Sequence, residues 1–396
     1  MLLPADFLSN AMQVFTPRTP ISVFDFFRGR RKEINRVRDA IATPGGHPII
    51  FGKRGIGKTS LANLIQFLTD PATTSCVKST CDSSDNFKAI WNRVFQNATV
   101  RFRSSVFGFN QTEAEQHINL AAYLRSNNGV SPADVAEVLG MAEVRRAVFV
   151  LDEFDRVTDT LTKRQMADLI KIVSDNTPSV TIVLVGVAQN IHELIGEHPS
   201  VERNLVQIEM QEMSDVELID VVQSGFDRLG IRAAPEVFTE IAGLSAGFPH
   251  YAHVLGLATA KACYTQETDS VDLELFHEMA CPLAIDEAID SYREALSRAT
   301  TTTTKSRYPQ VLCACAHALA DEKGLFRTSD VVDAMSRLFD KTVTNHNIKN
   351  ALGELSTQER GKVLVQTKRG RVNYYQFREP MMRPFLRIKV KSLSMI

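Results

Sequence analysis

The sequence predicts an α/β protein: strands built around a glycine-rich loop, then an all-helical stretch, then a C-terminal winged helix. Three observations carry this. An apolar strand passes through a glycine-rich loop into a helix at residues 49–65, and a second apolar strand ends abruptly in carboxylates at 146–155. From 211 onward the apolar spacing becomes helical and closes on a basic hairpin.

The loop is Gly52-Lys53-Arg54-Gly55-Ile56-Gly57-Lys58-Thr59, which fits G-x-x-x-x-G-K-[ST]. Ile49, Ile50 and Phe51 deliver the chain to it, and Ser60 to Ile65 continue with helical spacing. Glycine at 52, 55 and 57 permits positive φ and lets backbone N–H groups approach phosphate oxygens. Lys58 is placed for the β- and γ-phosphates of ATP, and the Thr59 hydroxyl for Mg²⁺. The helix N-terminus adds a partial positive charge that favours an anion.

Composition sets the frame. The chain has 396 residues, 44% hydrophobic and 23% charged, enough for two or three domains with ordinary cores. A formal net charge of -1 gives no global pull toward nucleic acid or membrane, so such binding must come from local patches. Six cysteines lack C-x-x-C pairing and zinc-ligand spacing, and read as buried thiols of a reducing compartment. Apolar runs are strand-sized, and the first residues lack the pattern of a signal peptide, so a cytoplasmic protein is expected.

In chain order, Pro4, Pro17 and Pro20 mark residues 1–20 as an irregular lead-in. The basic stretch at 28–38 has helical spacing through Ile34, Val37 and Ile41. It reads either as a solvated helix face or as a segment flanking the nucleotide. Residues 75–81 suit a second strand, and Phe87, Ile90, Trp91, Val94 and Phe95 form the stripe of a packed helix. Arg101-Phe102-Arg103 with Phe107 and Phe109 reads as a nucleic-acid contact or as an insertion whose aromatics pack inward. Ser131 and Pro132 open another helix.

The stretch from Arg146 to Asp155 is a strand buried on both faces that ends in Asp-Glu-Phe-Asp. Adjacent carboxylates at a strand end are costly without a cation. Asp152 is therefore assigned to the Mg²⁺ shell and Glu153 to orienting and polarising the attacking water. A third buried strand, 180–187, ends in Ala188-Gln189-Asn190, where Gln189 or Asn190 would sense the γ-phosphate. Arg203, before the last strand at 205–210, is either an arginine finger or a surface arginine bridging Glu202 or Glu209.

From 211 the helices follow one another, with a capping box at Ser214–Glu217, helices from Pro235 and from Gly247-Phe248-Pro249, and a fourth over 272–280. A threonine run at 300–304 marks a junction. Beyond it come helices near 308–319, 330–338 and 345–355, then strands around Lys368-Arg369-Gly370. Residues 361–396 hold nine Lys or Arg against the single acid Glu379. Lys368, Arg369 and Arg371 form a cationic tip suited to DNA phosphates.

Phe27-x-Gly29-Arg30, the loop, the VFVLDEFD strand, LVGVAQN, VERN, the helical lid and the winged helix together resemble the AAA+ P-loop ATPases of the origin-recognition and replication-initiator type. The resemblance implies a P-loop NTPase sheet ordered 5-1-4-3-2, with a core at 1–210, a lid at 211–299 and a winged helix at 300–396. It implies a Mg-ATP-driven switch that works as a homo-oligomer. Ser60 joins the loop residues that bind nucleotide, and Phe27, Arg28 and Gly29 with Pro249 would frame the adenine. The pattern departs in two places. GFPHYAHVLG stands where initiators carry a sensor-2 arginine, and its G-x-P is similar to the lid motif of STAND signalling ATPases. The sensor asparagine aligns with Gln189, with Asn190 one residue late. These departures point to prokaryotic relatives serving replication, mobile elements, transposition or antiviral defence, acting on DNA or on a partner effector protein.

Overall fold

The structure is a computed structural model. It describes residues 4, 6–21, 27–71, 73–98, 100–102, 116–118, 120, 124, 130–141, 146–196, 199–287, 290–301, 307–321, 323–339 and 344–392. Phe26, Arg103, Phe107, Phe109 and most of the threonine run lie outside these residues, and the side chains of Arg101 and Phe102 are likewise not described. The chain divides into two compact units, one of residues 20–53 and 57–211, the other of residues 1–19, 54–56 and 212–396.

The first unit is built on a five-stranded parallel sheet. Its strands are β1 (His47–Gly52), β2 (Ser75–Thr80), β3 (Ala147–Asp152), β4 (Val180–Val187) and β5 (Leu205–Met210). Their spatial order is β2-β3-β4-β1-β5, the expected 5-1-4-3-2 arrangement read from the other edge. The central strands β1 and β3 are buried at every residue, as a sheet covered on both faces demands. Edge strand β2 keeps partial exposure at Ser75, Cys76 and Lys78. Register places Thr80 beside Asp152 and Ile49 beside Leu184, so β1, β3 and β4 end on one side of the sheet.

Helices cover the sheet through the stripes read in the sequence. Phe87–Asn97 is capped by the Asn86 side chain, which accepts from the Ala89 N–H at 2.9 Å. It buries Phe87, Trp91 and Phe95, and the Trp91 ring meets Phe149 of β3 edge-on. His47, fully buried in β1, accepts the Ile182 N–H through Nδ1 at 2.9 Å and so pins β1 to β4. Burial holds its pKa down to about 4.

The second unit is helical at first. Ser214 and Glu217 form the capping box of helix Asp215–Leu229, and helices Pro235–Ser245 and Pro249–Thr265 follow. The expected helix over 272–280 is more extended: Leu273–Leu275 passes through a π-helical turn, Phe276–Ala280, into Cys281–Asp286. Then come helices Tyr308–His317, Thr328–Phe339 and Asn345–Leu355, and a three-stranded antiparallel sheet of Phe326–Arg327, Val372–Phe377 and Leu364–Arg369.

Two further segments differ from the sequence reading. The lead-in is not irregular throughout, because Phe7–Val14 is a helix. The prolines flank it, while Phe7, Ala11 and Phe15 at spacing four bury one face. Phe15 fills a slot made by two helical glycines: a Cβ at Gly225 would lie 2.3 Å from its ring and one at Gly256 2.4 Å away. Its ring also meets Phe226 and His253 edge-on. The basic tail beyond the hairpin forms a further helix, Met382–Ser392. Arg383 and Arg387 turn inward from it, donating to the Ala316 carbonyl at 3.1 and 2.8 Å. These cations cap a helix end, and burial lowers the Arg387 pKa to about 10.

Candidate nucleotide-binding site

The loop after β1 turns on its glycines. Gly52, Gly55 and Gly57 have φ of 146°, 81° and 95°, the region where a side chain would be strained. Helix Lys58–Leu64 starts at once, with Gly57 as its N-cap. Lys58 is 8% exposed, and its ammonium curls over the loop to donate to the carbonyls of Gly52 at 3.0 Å and Lys53 at 2.6 Å. The loop thereby forms a cradle with a cation already above it, which fits a polyphosphate.

The end of β3 brings the acids to this loop. Asp152 is 2% exposed, and its Oδ1 accepts from the Thr59 hydroxyl at 3.4 Å and from the Glu153 N–H at 2.9 Å. A hydroxyl and a buried carboxylate side by side are a donor set suited to Mg²⁺. Glu153 sits in the left-handed region at φ 54°, which is strained for a residue with a side chain. Its half-exposed carboxylate meets Arg156 at 2.9 Å across a tight helical turn. Asp155 does different work: its Oδ1 accepts the Val187 N–H at 2.8 Å, tying the acidic turn to the tip of β4.

The residues assigned to sensing have local partners. The Gln189 side chain is exposed, and its N–H donates to Glu193 at 2.9 Å. Asn190 exchanges side-chain and backbone bonds with Glu193, beside the short helical turn His192–Ile195. Arg203 is exposed and bridges neither Glu202 nor Glu209 among the described contacts; it faces Asp175 at 3.8 Å and Asn204 at 3.3 Å. Of the segment before the sheet, Arg30 is buried in a left-handed conformation. It donates to the Gln211 carbonyl at 2.5 Å, so this part of the basic stretch is structural. Phe27 is partly buried and Arg28 exposed. Pro249 belongs to the other unit, at the first position of its helix.

Sequence reasoning missed Lys78. From the middle of β2 it reaches Asp152 Oδ2 at 2.8 Å, and it also donates to Asn63 on the P-loop helix. The available signal was a lysine at the centre of an edge strand, a position whose burial calls for an acidic partner.

Residues 42–195 match the family model described as AAA domain. The sequence matches no curated protein. Among solved structures, the ORC2 protein of Aeropyrum pernix is similar at 14% identity over 97% of this chain and 98% of that one, with a TM-score of 0.51. A Walker-type ATPase of Pyrococcus abyssi is similar at 15% identity over 94% and 99%, with a TM-score of 0.55. These likenesses bear on the fold alone: the first unit has the P-loop NTPase fold. Among the described residues no helix is long and apolar enough to cross a membrane.

Proposed function

We propose that the chain is a Mg-ATP-hydrolysing switch whose C-terminal domain acts on DNA. The observation that carries the reading is the meeting of Lys58, Thr59 and Asp152 in a buried site, with Glu153 strained at its rim. Residues 52–60 wrap the phosphates, and Phe27, Arg28 and Gly29 belong to the adenine side. A magnesium ion held by Thr59 and Asp152 would neutralise charge between the phosphates. Lys58 leaves its loop carbonyls for phosphate oxygens, and Glu153, once released by Arg156, orients a water and accepts its proton. Gln189 or Asn190 registers the γ-phosphate, and Arg203 serves a neighbouring copy in a homo-oligomer.

Residues 211–299 form the lid in this reading, and 300–396 the winged helix. Support for the latter is the order helix, strand, helix, helix, hairpin after residue 307. Asn345, His346, Asn347, Lys349 and Asn350 are exposed on one helix, and Lys368, Arg369 and Arg371 on the hairpin. With few cations on the helix, binding is dominated by the DNA backbone. One observation favours a signalling role on a partner protein instead: Arg369 is engaged by Asp321 at 3.2 Å and lies 5.2 Å over the Tyr374 ring.

The deciding experiment is fluorescent-nucleotide binding by wild type and Lys58→Ala. Affinity should fall at least roughly tenfold, on the order of 1.4 kcal/mol, in the variant. Equal affinity in the two proteins would overturn the reading.

A further inference from the structure

Asp152 is buried, and a buried carboxylate without a partner is strongly destabilising. Its Oδ1 is served by Thr59 and the Glu153 N–H, while Oδ2 is held by the Lys78 ammonium at 2.8 Å. Lys78 comes from β2, the neighbour of β3 in the sheet, and its side chain is 28% exposed against 3% for Asp152. A charge partner that is itself partly exposed, on a flexible stem, can move out to water.

The contacts continue beyond the pair. Lys78 also donates to Asn63 Oδ1 on the P-loop helix. Asn63 Nδ2 donates in turn to the Ile21 carbonyl at 3.2 Å, and the Ile21 N–H donates to Ser60 Oγ at 3.1 Å. One amide thus joins the cation at Asp152 to the backbone of the peptide that leads out of the N-terminal helix.

We propose that Lys78 is a resident counter-cation for Asp152. It yields its place when a divalent cation arrives and transmits that occupancy through Asn63 to Ile21. The inference rests on the reading of Asp152 as a metal ligand. Two cations cannot share one buried carboxylate at contact distance without strong repulsion, so the ammonium withdraws as the metal enters. Its withdrawal removes the donor that orients the Asn63 amide, and the grip on the Ile21 carbonyl loosens. Lys78 is a positioning residue here and contacts no reacting atom.

The test compares wild type, Lys78→Met and Lys78→Arg by titrating Mg²⁺ against binding of a fluorescent ATP analogue. A second readout is thermal melting of the nucleotide-free protein with and without Mg²⁺ alone. Lys78→Met should reach half-saturation at roughly tenfold lower Mg²⁺, melt several degrees lower without metal, and recover when Mg²⁺ is added. Lys78→Arg should keep the wild-type Mg²⁺ requirement. The NMR resonance of the Asn63 side-chain amide, which donates to the Ile21 carbonyl, should shift with Mg²⁺ alone in wild type, and already lie at the shifted position in metal-free Lys78→Met. An unchanged or raised Mg²⁺ requirement in Lys78→Met, with wild type clearly Mg²⁺-dependent, overturns the counter-cation role alone. Nucleotide binding by wild type that ignores Mg²⁺ overturns the metal-ligand reading and this inference with it.

Discussion

The two charged regions of this protein are built on opposite terms. At the end of β3 the charges are buried, and each has a defined partner: Lys58 sits on loop carbonyls, and Asp152 on Thr59 and Lys78. On the C-terminal hairpin the charges are exposed, and the partners are a surface carboxylate and a ring face. A buried charge carries a large desolvation cost that only fixed geometry offsets, whereas an exposed pair contributes little and tolerates rearrangement. The difference explains why the first region carries a motif of fixed spacing and the second carries only a local excess of cations.

That contrast can be sharpened by variants on each side. The largest effect is expected from Glu153→Gln, which keeps size and backbone while removing the carboxylate proposed to polarise water. Nucleotide binding should persist while steady-state turnover falls by roughly two orders of magnitude or more. Turnover at the wild-type rate would move the catalytic role away from Glu153.

Packing beneath the helical unit should register next. Phe15→Ala empties the slot between Gly225 and Gly256 and should cost about 3 kcal/mol in a urea melt, as for a buried aromatic removed from a core. A change below about 0.5 kcal/mol would mean that the N-terminal helix is not fastened to this unit as the structure has it.

Protonation gives a third, smaller handle. His253 is buried beside Phe15, accepts the Thr16 N–H through Nδ1 at 3.2 Å, and has its pKa lowered by burial to about 4 from 6.5. The unfolded chain therefore binds the proton more readily, and stability from this group is complete above pH 6.5. It is lost as pH falls toward 4, by about 2 kcal/mol at pH 5. Melting from pH 8 to 5 should show that loss, and a variant with His253→Gln should show a shallower slope. Parallel slopes in the two proteins would remove His253 as the cause.

The smallest change is expected at the hairpin. Reversing Lys368 and Arg369 to Glu should weaken duplex DNA binding by about tenfold in low salt, with similar losses on all sequences. Each phosphate contact removed should reduce the log–log salt slope by about 0.9. A loss confined to one sequence would contradict backbone-dominated binding. No binding by wild type in either nucleotide state would favour the signalling role.

Much of the site was legible because its chemistry demands residue types at fixed local spacing. Gly52, Gly55, Gly57, Lys58 and Thr59 lie on one loop, and Asp152 and Glu153 are adjacent. The helix start at Ser214 was legible for the same reason, since its side chain acts on a backbone N–H within a turn of itself. The continuous burial of β3 likewise followed from an unbroken apolar run.

Other features depend on contacts between residues far apart in the chain. Phe7–Val14 looked irregular because its short apolar stripe gains meaning only against the helices carrying Gly225 and Gly256. Met382–Ser392 read as a basic tail, yet Arg383 and Arg387 satisfy carbonyls more than sixty residues earlier, separations of 67 and 71 from Ala316. Arg30 belonged to a basic stretch that read either as a solvated helix face or as a segment flanking the nucleotide, until the chain end of β5 placed the Gln211 carbonyl beside it.

The sequence by itself determined the glycine-rich loop, the acidic strand end and the helical pattern from 211 onward, because each depends on interactions within a few residues or on a simple period. Only the tertiary structure decided what stands opposite Asp152. Strand order sets β2 against β3 and puts Lys78 on Asp152, 74 positions apart in sequence. That pairing is a matter of sheet topology and buried charge, and no local spacing could encode it.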